Sequence, residues 1–270
     1  MTRETKPNAN PSPRAHELQQ DIDKPLMVTE LSSEVGHGTH DYEVYVRTAE
    51  LLSLQHSSDE RVHPDELAFQ IVHQVQELWL RLLAQECVAL VDRVDRDRWS
   101  QSQRVLERCQ RILRSLCEAM DVLSTLTPAA FQVIRRSLGD GSGLQSPGFA
   151  AFRRAATAID ESLKDAFERA GVSLEHVYQT EEPAHLLTLA ESLVDFDVAF
   201  QRWLVEHFHL VRRTIGVDRK VSALDGFPTK ALEVRMKRPL FPELWELRVE
   251  LTQEWKRDGG IAPGCPRSTG

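Results

Sequence analysis

A chain of 270 residues is long enough to bury a substantial core, and its net charge of −8 leaves no basic excess for binding nucleic acid or an anionic membrane. Hydrophobic residues make up 41% and charged residues 27%, an ordinary balance for a soluble globular protein, and no apolar run approaches the ~18–20 residues of a membrane span. The polar N-terminus has no apolar stretch of a secretion signal; Cys87, Cys109, Cys117 and Cys265 form no CxxC pair, so free thiols in a reducing cytoplasm are expected, not a zinc site or a disulfide framework.

Residues 1–40 read as a mobile N-terminal arm, since Pro, Asn, Lys and Glu dominate its first 35 positions with little apolar periodicity. From residue 41 the pattern is helical nearly throughout. Pro64, Asp65 and Glu66 suit a helix start, and Leu67, Ile71, Leu78 and Leu82 carry the helix on toward Arg96. A second long helix is predicted over roughly 98–125, on Val105, Ile112, Leu116 and Leu123. Thr127 and Pro128 open a short helix that Gly139 is expected to end, followed by a glycine-rich loop to Gly148. Further helices are predicted near 149–170, 183–215, 229–237 and 241–256, before a Gly- and Pro-rich tail at 257–270. Without strand alternation or repeats, this predicts an all-α antiparallel helical bundle over 41–256.

On the helix at 183–215, Phe196, Phe200, Trp203, His207, Leu210 or Val211, and Thr214 form one apolar face holding a single imidazole; Asp195, Asp197, Gln201, Arg202, Glu206 and Arg212 are assigned to the remaining surface. A buried histidine needs partners for its ring nitrogens, so His207 is either a core histidine bonded to a carbonyl or an axial metal ligand. His209 points about 200° away and does not share an ion with it. His73, one turn after Phe69 and beside Gln74, Gln76 and Glu77, is either solvated or part of a pocket wall that Phe69 completes. Arg135, one turn after Phe131, either snorkels to water or turns its planar fork inward to grip a carboxylate. The loop Gly139-Asp-Gly-Ser-Gly143 lacks the Gly-Lys-Ser/Thr ending of a phosphate cradle, and no Gly-x-Ser-x-Gly elbow occurs.

Five ordered blocks, Tyr42–Gln55, Asp65–Leu83, Leu123–Ser146, Phe200–Gly216 and Phe241–Arg248, resemble the tryptophan 2,3-dioxygenase family. The resemblance implies a helical homotetramer with one haem b per subunit, acting on an indole amino acid and O2. His207 falls on the proximal iron ligand. His73 falls on the distal histidine that bonds the indole N–H, with Phe69 as the aromatic wall beside it. Arg135 falls on the substrate-carboxylate residue, and Phe131 stands where a tyrosine usually assists it. Ser142, Gly143 and Leu144 match the loop over the haem edge, and Trp203, on His207's face, is placed against the cofactor. Tyr42 and Tyr45 match residues that complete a neighbouring subunit's pocket.

After Gly216 the family has a Gly-Thr-Gly-Gly loop whose threonine meets the substrate ammonium; here Val217–Gly226 has no such motif, and Met120 replaces a proximal aromatic residue. The expected function is oxygen insertion at the indole of tryptophan or a substituted tryptophan, in a specialised biosynthetic setting. Dioxygenation to N-formylkynurenine and monooxygenation at C2 to an oxindole both stay open. A non-catalytic helical haem- or small-molecule-binding protein is the alternative, and a plain interaction module without cofactor is a third reading.

Overall fold

The computed structural model describes residues 41–254 apart from 140, 142, 219, 225 and 227. The arm at 1–40, the tail at 257–270, Cys265 and Ser142 lie outside the described residues. Contacts divide the chain into two units, Met1–Glu60 and Arg61–Gly270.

In the first unit, α1 (Asp41–Val46) and α2 (Thr48–Leu52) meet at Arg47, whose left-handed backbone (φ 58°) breaks the helix and whose guanidinium pairs with Glu50. Tyr42, Val44 and Tyr45 are exposed on α1.

The second unit contains α3 (Glu66–Asp95), α4 (Trp99–Leu123), α5 (Pro128–Arg135), a 3-10 turn (Gly143–Gln145), α6 (Pro147–Ala170), α7 (Leu174–Thr180), α8 (Ala184–Thr214), α9 (Ala231–Met236) and α10 (Pro242–Glu254). The fold is all-α, as expected; among the described residues the β structure is one isolated bridge, Ser222 to Pro228. Helix α3 packs chiefly on α6 and α4, and α4 on α8. Their facing stripes bury Leu83, Cys87, Leu90, Leu113, Phe152, Phe196 and Phe200. Each such side chain contributes roughly 1.5–3 kcal/mol by leaving water, which is what holds long helices that propensity alone would leave marginal.

Local chemistry sets the ends. Thr127 and Ser146 each accept a backbone N–H from the residue three further on, Ala130 and Phe149, with proline at the first helical position. Gly171, at φ 67°, ends α6 in the left-handed conformation that glycine adopts without strain.

Four expectations need correction. Pro64 lies in a turn before α3, and the buried Glu66 reaches back to accept the Val62 N–H at 2.6 Å. Helix α5 stops at Arg135, short of Gly139, because its end is tied off by turns through Arg136, Ser137 and Leu138. Helix α7 is additional: it is short, capped by Ser173 and buries only Val177, too little for a periodic signal. Asp197 is not on the surface. It is fully buried and accepts from the backbone N–H groups of Leu240 (2.8 Å) and Phe241 (3.3 Å), the Trp245 indole (2.9 Å) and the Gln201 amide (3.1 Å), so one carboxylate caps α10 and ties it to α8.

At Gly148 the start of α6 presses onto α3: a Cβ there would lie 2.7 Å from Glu77 Oε2 and 2.8 Å from Leu80 Cβ. Gly148→Ala is expected to destabilise the fold by about 1–3 kcal/mol, the usual cost of overpacking, read as a lower urea midpoint at unchanged slope. A midpoint equal to wild type would show that the two helices part freely here.

Candidate active site

Along α8 the apolar stripe Phe196, Phe200, Trp203 is buried, and His207 continues it one turn beyond. Burial pushes the His207 imidazole down to about 4, helped by the nearby His73, so the ring is neutral at pH 7. Among the described residues neither ring nitrogen has a hydrogen-bond partner, which removes the reading of a core histidine bonded to a carbonyl. Instead Nε2 lies beside Gly143 in the 3-10 turn, where an added Cβ would stand at 3.9 Å, in ordinary van der Waals contact. Leu144 lies in the same turn. The Trp203 and His207 rings are 6.4 Å apart and inclined by 23°. The Trp203 indole donates to Gln76 Oε1 (3.2 Å), and the Gln76 amide donates to the Leu116 carbonyl (2.7 Å), so α3 and α4 fix this face of α8. Met120, where an aromatic residue was expected, is buried in the core.

His73 stands on α3, its ring 4.1 Å from that of Phe69 and tilted to it by 37°. The ring keeps an edge open to solvent, yet crowding by the surrounding protein lowers its pKa, an effect that the Phe69 carbonyl and the Glu77 charge partly offset. Its Nδ1 lies 2.7 Å from the Phe69 carbonyl oxygen. A carbonyl can only accept, so Nδ1 carries the hydrogen and Nε2 is left with a lone pair. His73 is thus solvent-exposed at its helix while its ring lies against Phe69. Phe69 also packs on Phe131, 6.0 Å between centroids, in an apolar cluster with Val72, Leu123, Leu126, Ile134 and, from α8, Leu210.

Arg135 turns inward: its Nη2 donates to the Ser222 carbonyl at 2.8 Å. Its remaining guanidinium N–H groups bond to no other described residue. Ser222 belongs to the segment that departs from the family pattern, and that segment folds around the buried Thr229. The Thr229 hydroxyl lies 3.2 Å from the Asp218 carbonyl and 3.1 Å from that of Val221, and accepts the Asp218 N–H at 3.2 Å. Sequence reasoning missed Ser222 and Thr229, for which no local pattern exists, and Gln76 and Glu77, which it treated only as polar surroundings of His73.

The structure thus gathers His207, His73, Phe69, Phe131, Arg135 and the Gly143 turn in the second unit. Tyr42 and Tyr45 belong to the first, where they are 70% and 91% exposed. These residues suit a haem. The unbonded, neutral imidazole nitrogen of His207 is a donor of the kind that haem iron takes. Among the described residues no group of three or more His, Cys, Asp or Glu side chains is placed to hold a metal ion.

Residues 28–156 match the family described as Tryptophan 2,3-dioxygenase. The chain is 31% identical to the tryptophan 2,3-dioxygenase of Xanthomonas euvesicatoria pv. vesicatoria, across 90% of this chain and 95% of that protein. It is 32% identical to the Myxococcus xanthus enzyme of the same name, across 85% and 94%. To that of Shewanella woodyi it is 28% identical, across 83% and 93%. Similarity at this level through nearly the full length of both partners shows that the chain belongs to the tryptophan 2,3-dioxygenase family of haem-dependent enzymes.

Proposed function

We propose that this protein adds both atoms of O2 across the indole C2–C3 bond of tryptophan or a substituted tryptophan, giving the corresponding N-formylkynurenine. The observation that carries this reading is the pair of neutral imidazoles, one with an unbonded Nε2 facing the Gly143 turn and one with Nδ1–H fixed by the Phe69 carbonyl. Bound haem supplies the activation of dioxygen. His207 holds the iron through its neutral Nε2. Phe69 and Phe131 form the apolar wall along which the flat indole is aligned, and their packing excludes water. His73 accepts the indole N–H at Nε2, holding that proton in place and orienting the ring. Arg135 grips the substrate carboxylate with the donors that Ser222 leaves unused. Trp203, Gly143, Leu144 and Ser142 are assigned to contact with the haem.

Arg135→Ala is expected to raise KM for tryptophan by roughly 10–100-fold, the worth of a lost charge-assisted pair, while barely affecting an indole substrate without a carboxylate. Equal effects on both substrates would remove the carboxylate role. Product masses from 18O2 test the reaction itself: two labelled atoms support dioxygenation. One labelled atom would replace it with monooxygenation to an oxindole, which needs an external two-electron donor. No product would leave a haem-binding protein without turnover.

The same reading takes residues 41–256 as the haem-binding domain of a cytoplasmic homotetramer in which Tyr42 and Tyr45, exposed on α1, reach a neighbour's pocket. Light scattering of the purified protein checks the assembly. Among the described residues no helix is long and apolar enough to cross a membrane.

A further inference from the structure

One turn beyond His73, the half-buried carboxylate of Glu77 crosses from α3 to the far side of the site. Its Oε1 accepts the Ser146 hydroxyl, and its Oε2 accepts the Gly148 N–H at 3.0 Å. Ser146 in turn caps α6 by accepting the Phe149 N–H at 3.0 Å, and its own N–H reaches the Gly143 carbonyl at 3.4 Å. Gly143 is the residue that faces His207 Nε2. A continuous chain of hydrogen bonds therefore runs from α3 to the turn opposite His207. The absence of a side chain at Gly148 lets the two elements close to this distance. A carboxylate at a helix N-terminus is also favoured by the helix dipole. The preceding residue, Gln76, holds Trp203 on the face of α8 that carries His207. Adjacent residues of α3 thus hold both the turn and the helix face that meet at Nε2.

We propose that Glu77 is a positioning residue: through Ser146 and Gly148 it holds the Gly143 turn in its place beside His207 Nε2, and so governs how that nitrogen receives the haem. This rests on the haem-binding reading above. Glu77 itself touches neither substrate nor haem. Its negative charge and two acceptor oxygens satisfy a hydroxyl and a backbone N–H together; a glutamine offers one acceptor oxygen and places an NH2 group against one of the two donors.

The test uses the full chain with added haem, comparing wild type, Glu77→Gln, Glu77→Asp, Ser146→Ala and the Glu77→Gln/Ser146→Ala double variant. Haem affinity is read from the Soret band, and the space opposite His207 from ferric cyanide affinity and the electron paramagnetic resonance spectrum. Circular dichroism and thermal midpoint monitor the fold. Glu77→Gln is expected to keep its helical content, lose haem affinity about tenfold and change both the cyanide affinity and the ferric spectrum. Ser146→Ala should act in the same direction but less, Glu77→Asp should recover part of the loss, and the double variant should be no worse than Glu77→Gln, because both residues act through one link. A Glu77→Gln protein with a lower thermal midpoint but wild-type haem affinity, cyanide affinity and spectrum would overturn the proposal. Should Glu77→Gln fail to fold, Ser146→Ala decides alone, and wild-type values there overturn it equally. A wild-type protein without a His207-dependent Soret band would defeat the haem reading and this one with it, an outcome distinct from the first because it appears before any Glu77 variant is made.

Discussion

His207→Ala is expected to abolish stoichiometric haem binding, seen as loss of the Soret band in haem-supplemented protein that keeps its helical circular dichroism. His209 lies on another face of α8 and does not replace the lost nitrogen. Outer-shell partners of a metal ligand cost about 10–100-fold when removed, and the ligand itself must cost more. Full haem occupancy in the variant would remove the assignment. The same imidazole gives the haem-free protein a pH signature. Unfolded, it titrates near its ordinary 6.5; folded, near 4. As pH falls between these values the unfolded chain binds the proton first, so the stability present above 6.5 is progressively lost down to about 4, with no further loss from this group below that. Urea midpoints of haem-free wild type should fall across this window, and the fall should be shallower in His207→Leu. Equal slopes would mean that the ring is solvated in the native protein.

Asp197→Ala should be the most damaging single change to the fold. The wild-type carboxylate is fully buried and takes four donors, two of them backbone N–H groups at the start of α10 and one the Trp245 indole. Alanine leaves those donors facing a cavity, and each unsatisfied buried donor costs roughly 1–3 kcal/mol. Some regain water by loosening of α10, so the expected total is about 3–5 kcal/mol, a large part of the roughly 5–15 kcal/mol available to a domain. Asp197→Asn retains an acceptor oxygen and should lose about half as much. Chemical denaturation checks both, and an alanine variant within about 1 kcal/mol of wild type would show that α10 is held by its apolar contacts instead.

The sequence by itself determined the long helices, because helical periodicity and capping are set by residues three or four apart: Thr127-Pro128 and the stripe through Phe196, Phe200 and Trp203 are both local facts. It also determined the family, and placed His207 on an apolar face. It did not determine that Asp197 is buried, since an aspartate beside an apolar stripe looks like any solvated side chain until α10, 43 positions away, brings its N–H groups to it. Nor did it show that Glu77 meets Ser146, 69 positions on, or that Arg135 is held by the Ser222 carbonyl, 87 positions on. Such contacts leave no periodic mark, because they join polar groups far apart in sequence whose burial depends on which helices pack together. Only the tertiary structure decided which nitrogen of His73 carries its hydrogen and that Nε2 of His207 faces a glycine, for both follow from neighbours that packing supplies.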